Sequence, residues 1–345
     1  MKIAVVNNCV PFLSGGAEHL AQALTTKLNE CGHEAVLIRI PFRWDPPSKI
    51  LDSMLACRLM CLPNVDRVIA LKFPAYYVPH DDKVLWLLHQ FRQAYDLWGT
   101  DLQGLPDSPY GREIRDSIRT ADNRFLSETR RIFTNSRVTS ERLKTYNGLD
   151  SAVLWPPLLE TGHFTCRSFE DFVFYPSRVN AAKRQWLAVE SMKYVRSPVR
   201  LILAGKEEDL GEAGRIEQII RDNGLRDRVS WQRGFIPEKC KADFLSRALG
   251  TVYIPYDEDS YGYVTLESYF SRKPVITCTD SGGTDLLVKD GITGLVVGPD
   301  PRAIAEAIDR LYQDKRAAQC MGDAGLDLIR NLGITWERVI DALTQ

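Results

Sequence analysis

Apolar positions along this 345-residue chain follow two alternating periods. Runs of about four to eight apolar residues, the length of buried strands, alternate with stretches where apolar residues return every three or four positions, as in amphipathic helices. The pattern predicts a strand over KIAVVNN (2–8) and a helix over AEHLAQALTTKLNE (17–30), with Leu20, Leu24 and Leu28 at spacing four. Gly32 ends that helix, and HEAVLIRI (33–40) reads as the next strand. Strand, helix and strand in that order imply a parallel sheet. After the loop PFRWDPP come a helix over 48–61, the strands RVIALKF and KVLWLLH, and an irregular stretch over 90–110. A long helix follows over 111–131, with Ile114, Ile118, Ala121 and Phe125 on one face and its arginines solvated among alternating acids. IFTNS is a short strand, and the helix in SERLKTYNG is capped by Ser140 and ended by Gly148.

The alternation then breaks. WPPLLETGHFTCRSFED (155–171) has a proline pair and little periodicity, the mark of a linker. Strands resume at FVFYPS, VRLILAG, RVSWQ, TVYIP, KPVITC and GLVV, with helical patterns between them. Single cores stop growing near ~250–300 residues, so two domains are expected. The predicted bounds are 1–157 and 172–330, joined by a linker over 158–171. A terminal helix in 331–345, detached from the alternation, is expected to cross back to the first domain.

Composition removes several classes. Basic and acidic side chains number 44 and 45, so no global charge favours nucleic acid. No stretch approaches the ~18 apolar residues of a membrane span, and the N-terminal run is short and interrupted by Asn7 and Asn8, unlike a signal peptide. The eight cysteines are scattered, and Cys57 and Cys61 lack a second pair that would complete a zinc site. A cytoplasmic protein with reduced thiols is the resulting expectation.

Four loops could carry chemistry. PFLSGGAEHL sets Gly15 and Gly16 just before a helix, where backbone amides can approach an anion closely, although the pair equally suits a tight turn with no ligand. In FVFYPSRVNAAKRQW, Arg178 leaves a strand end and Lys183 follows five residues on. Two cations there can neutralise a diphosphate, or they are ordinary surface charges. In VYIPYDEDSYGYVTLES, Asp259 stays in a loop and Glu267 falls about one turn into the next helix. As acceptor-only groups, such carboxylates can take sugar or ribose hydroxyls. Asp257, Glu258 and Asp259 also raise a metal reading, but no supporting ligands stand at suitable spacing. Finally, CTDSGGTDLLVKDGITG opens a helix with Gly282 and Gly283, with Asp285 two residues beyond and Gly291 and Gly294 flanking a turn. Loops at the carboxyl ends of strands are where open α/β sheets bind ligands.

Taken in order, these residues resemble the retaining family 4 of glycosyltransferases, also called glycosyl transferases group 1. The paired glycines, the Arg-to-Lys spacing, the acid-to-Glu267 element, the second glycine pair and Trp336 in the last helix carry the resemblance over nearly the whole chain. It is clearest over 172–300 and faint over 41–130. It implies a GT-B fold, two Rossmann-like domains facing a cleft, and a nucleotide-diphospho-sugar donor with no metal. It also implies roles. Arg178 and Lys183 would hold the diphosphate, and Glu267 the ribose hydroxyls. Asp259 and the amides of Tyr261, Gly262, Tyr263 and Val264 would meet the sugar and phosphate. Gly16 would approach the diphosphate, Arg233, Gly234 and Phe235 would lie near the base, and His89 near the reacting sugar. His89 also fits a strand-end histidine bonded locally.

There are departures. Asp259 stands where the family usually has Glu, so Glu258 is an alternative for that role, and Asp285 likewise replaces Glu. No residue stands out as a covalent nucleophile, so retention by front-side attack is expected, with a glycan, glycolipid or other hydroxyl acceptor. Trp86, Phe91, Tyr95, Trp98 and Tyr110 would either stack on the acceptor or pack in the core. Peripheral membrane contact, oligomeric state, nucleotide and sugar stay open. The rival readings are a sugar-nucleotide epimerase or a phosphorylase of the same fold, and a degenerate partner subunit.

Overall fold

A computed structural model describes residues 1–12 and 15–345. It divides into two compact units, Met1–Leu159 with Ile334–Gln345, and Glu160–Gly333. The chain thus leaves the first unit once and returns for its last twelve residues.

The first unit runs β1 (Lys2–Cys9), α1 (Gly16–Glu30), β2 (Glu34–Pro41), α2 (Ser48–Arg58), β3 (Arg67–Ala70), β4 (Lys83–Leu87), α3 (Pro109–Phe125), β5 (Arg131–Thr134), α4 (Arg137–Asn147) and β6 (Ala152–Val153). The six strands form one sheet in the order β2-β1-β3-β4-β5-β6, all pairs parallel. β3 and β4 are buried on both faces, as parallel strands covered by helices must be.

The second unit runs β7 (Phe172–Pro176), α5 (Gln185–Ser191), β8 (Arg200–Gly205), α6 (Leu210–Asp222), β9 (Val229–Arg233), α7 (Glu238–Arg247), β10 (Gly250–Val252), α8 (Tyr263–Phe270), β11 (Val275–Cys278), β12 (Gly294–Val297), α9 (Pro301–Gln313) and α10 (Lys315–Asn331). Its parallel sheet has the order β12-β11-β10-β7-β8-β9. Counted within the unit, this is the doubly wound order 3-2-1-4-5-6 read from the other edge, and the order reverses between β7 and β10.

The last helix, α11 (Trp336–Thr344), belongs to the first unit. Trp336, Val339, Ile340 and Leu343 join a core with Leu20, Leu24 and Leu28 of α1 and Trp86 of β4. Each such burial is worth on the order of 1.5–3 kcal/mol. Trp336 Nε1 also donates to Leu158 O at 2.8 Å, and Arg67 Nη1 to Leu343 O at 2.9 Å.

Several boundaries differ from those the pattern predicts. α4 starts four residues early and is capped by Ser136, whose hydroxyl accepts from Thr139 N at 3.0 Å; Ser140 lies inside the helix. Gly148 does end it, at φ 69°. α3 stops at Phe125, because by Arg130 the chain has joined the sheet, donating to Lys83 O at 2.9 Å. α2 stops at Arg58, short of Leu62, which precedes a proline and so disfavours helical backbone. β6 has only two residues, too few to leave a periodic signal.

Candidate functional site

The order reversal in the second unit brings two of the singled-out loops side by side. One leaves β7 and carries Arg178 and Lys183. The other leaves β10 and carries Asp257 to Tyr263. Adjacent parallel strands whose connections diverge open a crevice at their carboxyl ends, the usual ligand position in such sheets.

Lys183 is tied directly to the acidic loop. Its Nζ pairs with Glu258 Oε2, donates to Tyr253 OH at 3.0 Å, and lies 5.3 Å from the centre of the Tyr253 ring. Arg178 pairs with Glu208, which also accepts from Asn180 Nδ2 at 3.0 Å. Glu258, one of the two carboxylates considered for one role, is thus in contact with Lys183. Asp259 is half-buried in the same loop.

Backbone geometry fixes this loop. Gly262 has φ 70°, and a Cβ there would lie 2.4 Å from the Tyr253 ring. Gly282 has φ 61°, and a Cβ there would lie 2.4 Å from Glu258 O. A side chain at either position would push the loop away from its support. Glu258 is held from both sides, its N–H donating to Ser281 O at 3.2 Å and its carbonyl accepting from Gly283 N at 2.7 Å. The glycine pair thus buttresses the acidic loop, a role that differs from facing a ligand directly.

Arg184 is a further anchor that the sequence reading misses. It takes φ 51°, unfavourable for a residue that carries a Cβ, and its buried guanidinium compensates. It donates to Ile254 O and Pro255 O at 2.9 Å each and forms a two-pronged pair with Asp280 at 2.6 and 2.7 Å. The ends of β10 and β11 are thereby fastened to the residue that follows Lys183.

Glu267 lies in α8 and is 5% exposed. Oε1 accepts from Lys241 Nζ at 2.6 Å, and Oε2 is buried without a hydrogen-bond partner. Burial raises the Glu267 pKa above the ordinary carboxylate value, with Lys241 opposing. Burial alone would lower the Lys241 pKa, but Glu267 and Glu238 override it and leave it raised. Lys241 is the second residue missed from sequence. Its signal was its place in α7 four residues before the buried Leu245, on the apolar face.

The other predicted positions are dispersed. Val264 and Tyr261 are buried, and burial pushes the Tyr261 and Tyr263 hydroxyls well above their ordinary pKa. Arg233, at the end of β9, pairs with Glu207 at 2.7 Å and with Glu217. Gly234 follows at φ 81°, and the side chain of Phe235 is exposed. In the first unit, Gly15 caps α1 and its N–H donates to Glu18 Oε2 at 2.9 Å. Glu18 Oε1 in turn accepts from Lys72 at 2.9 Å. The Gly15 amide is thus engaged locally, Gly16 opens the helix, and Leu13 and Ser14 of the same loop lie outside the described residues. His89 follows β4, and its Nδ1 donates to Gln90 O at 2.6 Å, so in the neutral ring Nε2 is the acceptor. Trp86 and Tyr95 are core residues, Phe91 and Trp98 pack partly buried against the core, and Tyr110 is exposed.

Comparisons with known proteins bear on the family and the fold. Residues 167–327 match the profile of the family Glycosyl transferases group 1. Human alpha-1,3/1,6-mannosyltransferase ALG2 is 27% identical over 221 residues, covering 56% of this chain and 52% of ALG2. A D-inositol 3-phosphate glycosyltransferase of Mycobacterium tuberculosis (strain ATCC 25177 / H37Ra) is 32% identical over 155 residues, 42% of this chain and 30% of that protein. The matches thus span only about a third to a half of these relatives. Among solved structures, sucrose-phosphate synthase from Thermosynechococcus elongatus has a TM-score of 0.80 at 17% identity, covering 100% of this chain and 98% of that one. Anabaena Alr3699/HepE in complex with UDP-glucose has a TM-score of 0.74 at 14% identity, with 100% of each chain covered. At such identities the likeness is one of fold. Residues 167–327 thus resemble the glycosyl transferases group 1, and the two parallel-sheet units have the GT-B fold.

Proposed function

We propose that the protein is a retaining, metal-independent hexosyltransferase that moves a sugar from a GDP- or UDP-linked donor to a hydroxyl acceptor. The observation that carries this reading is the pairing of Lys183, after β7, with Glu258, after β10, at one order reversal. A nucleotide-diphospho-sugar needs both: cations for the phosphates, and acceptor-only groups for the hydroxyls. Lys183 and Arg178 would exchange part of their pairing with Glu258 and Glu208 for phosphate oxygens. Asp259 or Glu258 would accept sugar hydroxyls, Glu267 the ribose hydroxyls, and the 233–235 segment would border the base. The first unit's part rests on His89 and the Gly15–Gly16 loop, each at the carboxyl end of a strand of its own sheet.

Charge grows on the donor phosphate as the glycosidic bond breaks, and fixed cations stabilise it. The acceptor oxygen bonds to the anomeric carbon on the face the phosphate leaves, and the phosphate oxygen takes the acceptor proton. An acceptor of glycan or glycolipid type, as in surface polysaccharide or glycoconjugate synthesis, fits the family.

Calorimetry with UDP, GDP and ADP and their sugars, with and without EDTA, on wild type and Glu267→Ala, tests the reading. The expected result is tight binding of one nucleotide diphosphate, indifferent to EDTA and lost in the variant. Binding that requires a divalent cation removes the metal-free part, and an inverted product anomer removes retention. Release of free sugar without acceptor would point to an epimerase, and no binding to a degenerate subunit.

A further inference from the structure

Behind Glu267 stands a chain of polar and charged side chains that no motif announces. His163 Nε2 lies 3.6 Å from Glu238 Oε1. Glu238 Oε2 lies 3.1 Å from Lys241 Nζ, and Lys241 Nζ lies 2.6 Å from Glu267 Oε1. Exposure falls along it, from 52% for the Glu238 side chain through 17% for Lys241 to 6% for Glu267. Glu267 is the buried end, and the partly exposed Glu238 is the counterweight.

We propose that Lys241 is a positioning residue that sets the Glu267 carboxylate for a vicinal diol. This rests on the reading of Glu267 as the ribose-binding group. A buried carboxylate with no neighbour would shed its charge by taking a proton. It would then present an O–H donor where a ribose hydroxyl needs an acceptor. Lys241 opposes this and does so asymmetrically. It engages Oε1 only and leaves Oε2 buried and unpartnered. A buried acceptor left unmade is costly, so Oε2 gains most from a ligand hydroxyl that reaches it. Lys241 also fixes the rotamer, because α7 and α8 are separate helices and the 2.6 Å contact ties the Glu267 head group across them. An arginine could keep the charge, whereas a methionine of similar length keeps the packing and loses it.

Titration calorimetry of wild type, Lys241→Met, Lys241→Arg and Glu267→Gln with UDP and GDP, each against its 2′,3′-dideoxy analogue, tests the assignment. Wild type should prefer the ribose form of the nucleotide it binds by about tenfold or more, the range of a hydrogen bond to a charged group. Glu267→Gln and Lys241→Met should both lose most of that preference by weakening the ribose form, with the dideoxy form nearly unchanged. Lys241→Arg should restore part of it. Lys239→Met, on the exposed side of the same helix, should behave as wild type and control for α7 itself. A merely structural role for Lys241 would weaken both nucleotides alike. Three results overturn the proposal or its basis. If wild type discriminates and Lys241→Met still does, the positioning role is wrong and the Glu267 reading survives. If wild type does not discriminate, or binds neither nucleotide, the Glu267 reading fails and takes the proposal with it.

Discussion

Asp122 in the first unit and Glu267 in the second are both buried carboxylates, and the two are treated differently. Asp122 in the first unit is 0% exposed and accepts three tyrosine hydroxyls, from Tyr76 at 2.9 Å, Tyr77 at 2.6 Å and Tyr95 at 2.7 Å. Glu267 in the second unit has one lysine on one oxygen and nothing on the other. The difference separates two kinds of buried charge. A carboxylate saturated by its own fold organises a core, while one left half-satisfied keeps an acceptor oxygen unused.

The sharpest way to break that contrast is to remove the saturated group. Asp122→Ala strands three buried hydroxyls at once. With each unmade hydrogen bond worth roughly 1–3 kcal/mol, the loss should be at least about 3 kcal/mol. Glu267→Gln should lose clearly less, since the amide oxygen can still accept from Lys241, while its nucleotide binding suffers. Chemical denaturation read beside calorimetry checks both. If Asp122→Ala is as stable as wild type, the tyrosine cage is not what holds that region together.

Titration sharpens the same comparison. Burial raises the Asp122 pKa from 3.8 to about 6, because desolvation outweighs the hydroxyls of Tyr77, Tyr95 and Tyr76. A raised carboxyl binds its proton more tightly in the folded state. Its stabilising contribution is therefore complete below the unfolded value near 3.8 and is lost as pH rises through about 6. At roughly 1.4 kcal/mol per pH unit, that is about 3 kcal/mol between pH 4 and 6. Asp122→Asn should remove this part of the stability profile, as read from denaturant midpoints across that range. An Asp122→Asn profile parallel to wild type would show that the carboxyl titrates in the folded state as it does unfolded.

How much of this was readable from the chain depends on distance along it. The strand–helix alternation, the break between two sheet-forming halves, and the loops bearing Arg178, Lys183, Asp259 and Glu267 are local patterns, and periodicity exposes them. What holds those loops is not local. Arg184 and Asp280 are 96 residues apart, Lys183 and Tyr253 are 70 apart, and Lys241 and Glu267 are 26 apart. No window of helical or strand period joins such pairs. Asp122 hid differently, on the buried face of α3 four residues after Ile118, among arginines that read as solvated. The misplaced cap of α4 has a local cause: Ser136 and Ser140 stand four apart, and only the joining of β5 to the helix chooses between them.

The smallest effect is expected at Arg233, where the same logic runs in reverse. Its two ion pairs, with Glu207 and Glu217, are about half exposed. Its hydrogen bond to Glu217 raises its pKa, yet water and salt screen such pairs to about 0–1 kcal/mol. Arg233→Ala should therefore shift stability by no more than about 0.5 kcal/mol. If the 233–235 segment borders the nucleobase, the variant should still weaken nucleotide binding severalfold while leaving the ribose-against-dideoxy preference intact, because that preference belongs to Glu267. A variant that changes the ribose preference would mean the two groups act on one part of the ligand. A variant that loses stability and no affinity would make Arg233 a strut between β9 and α6 and leave the base without an assigned neighbour.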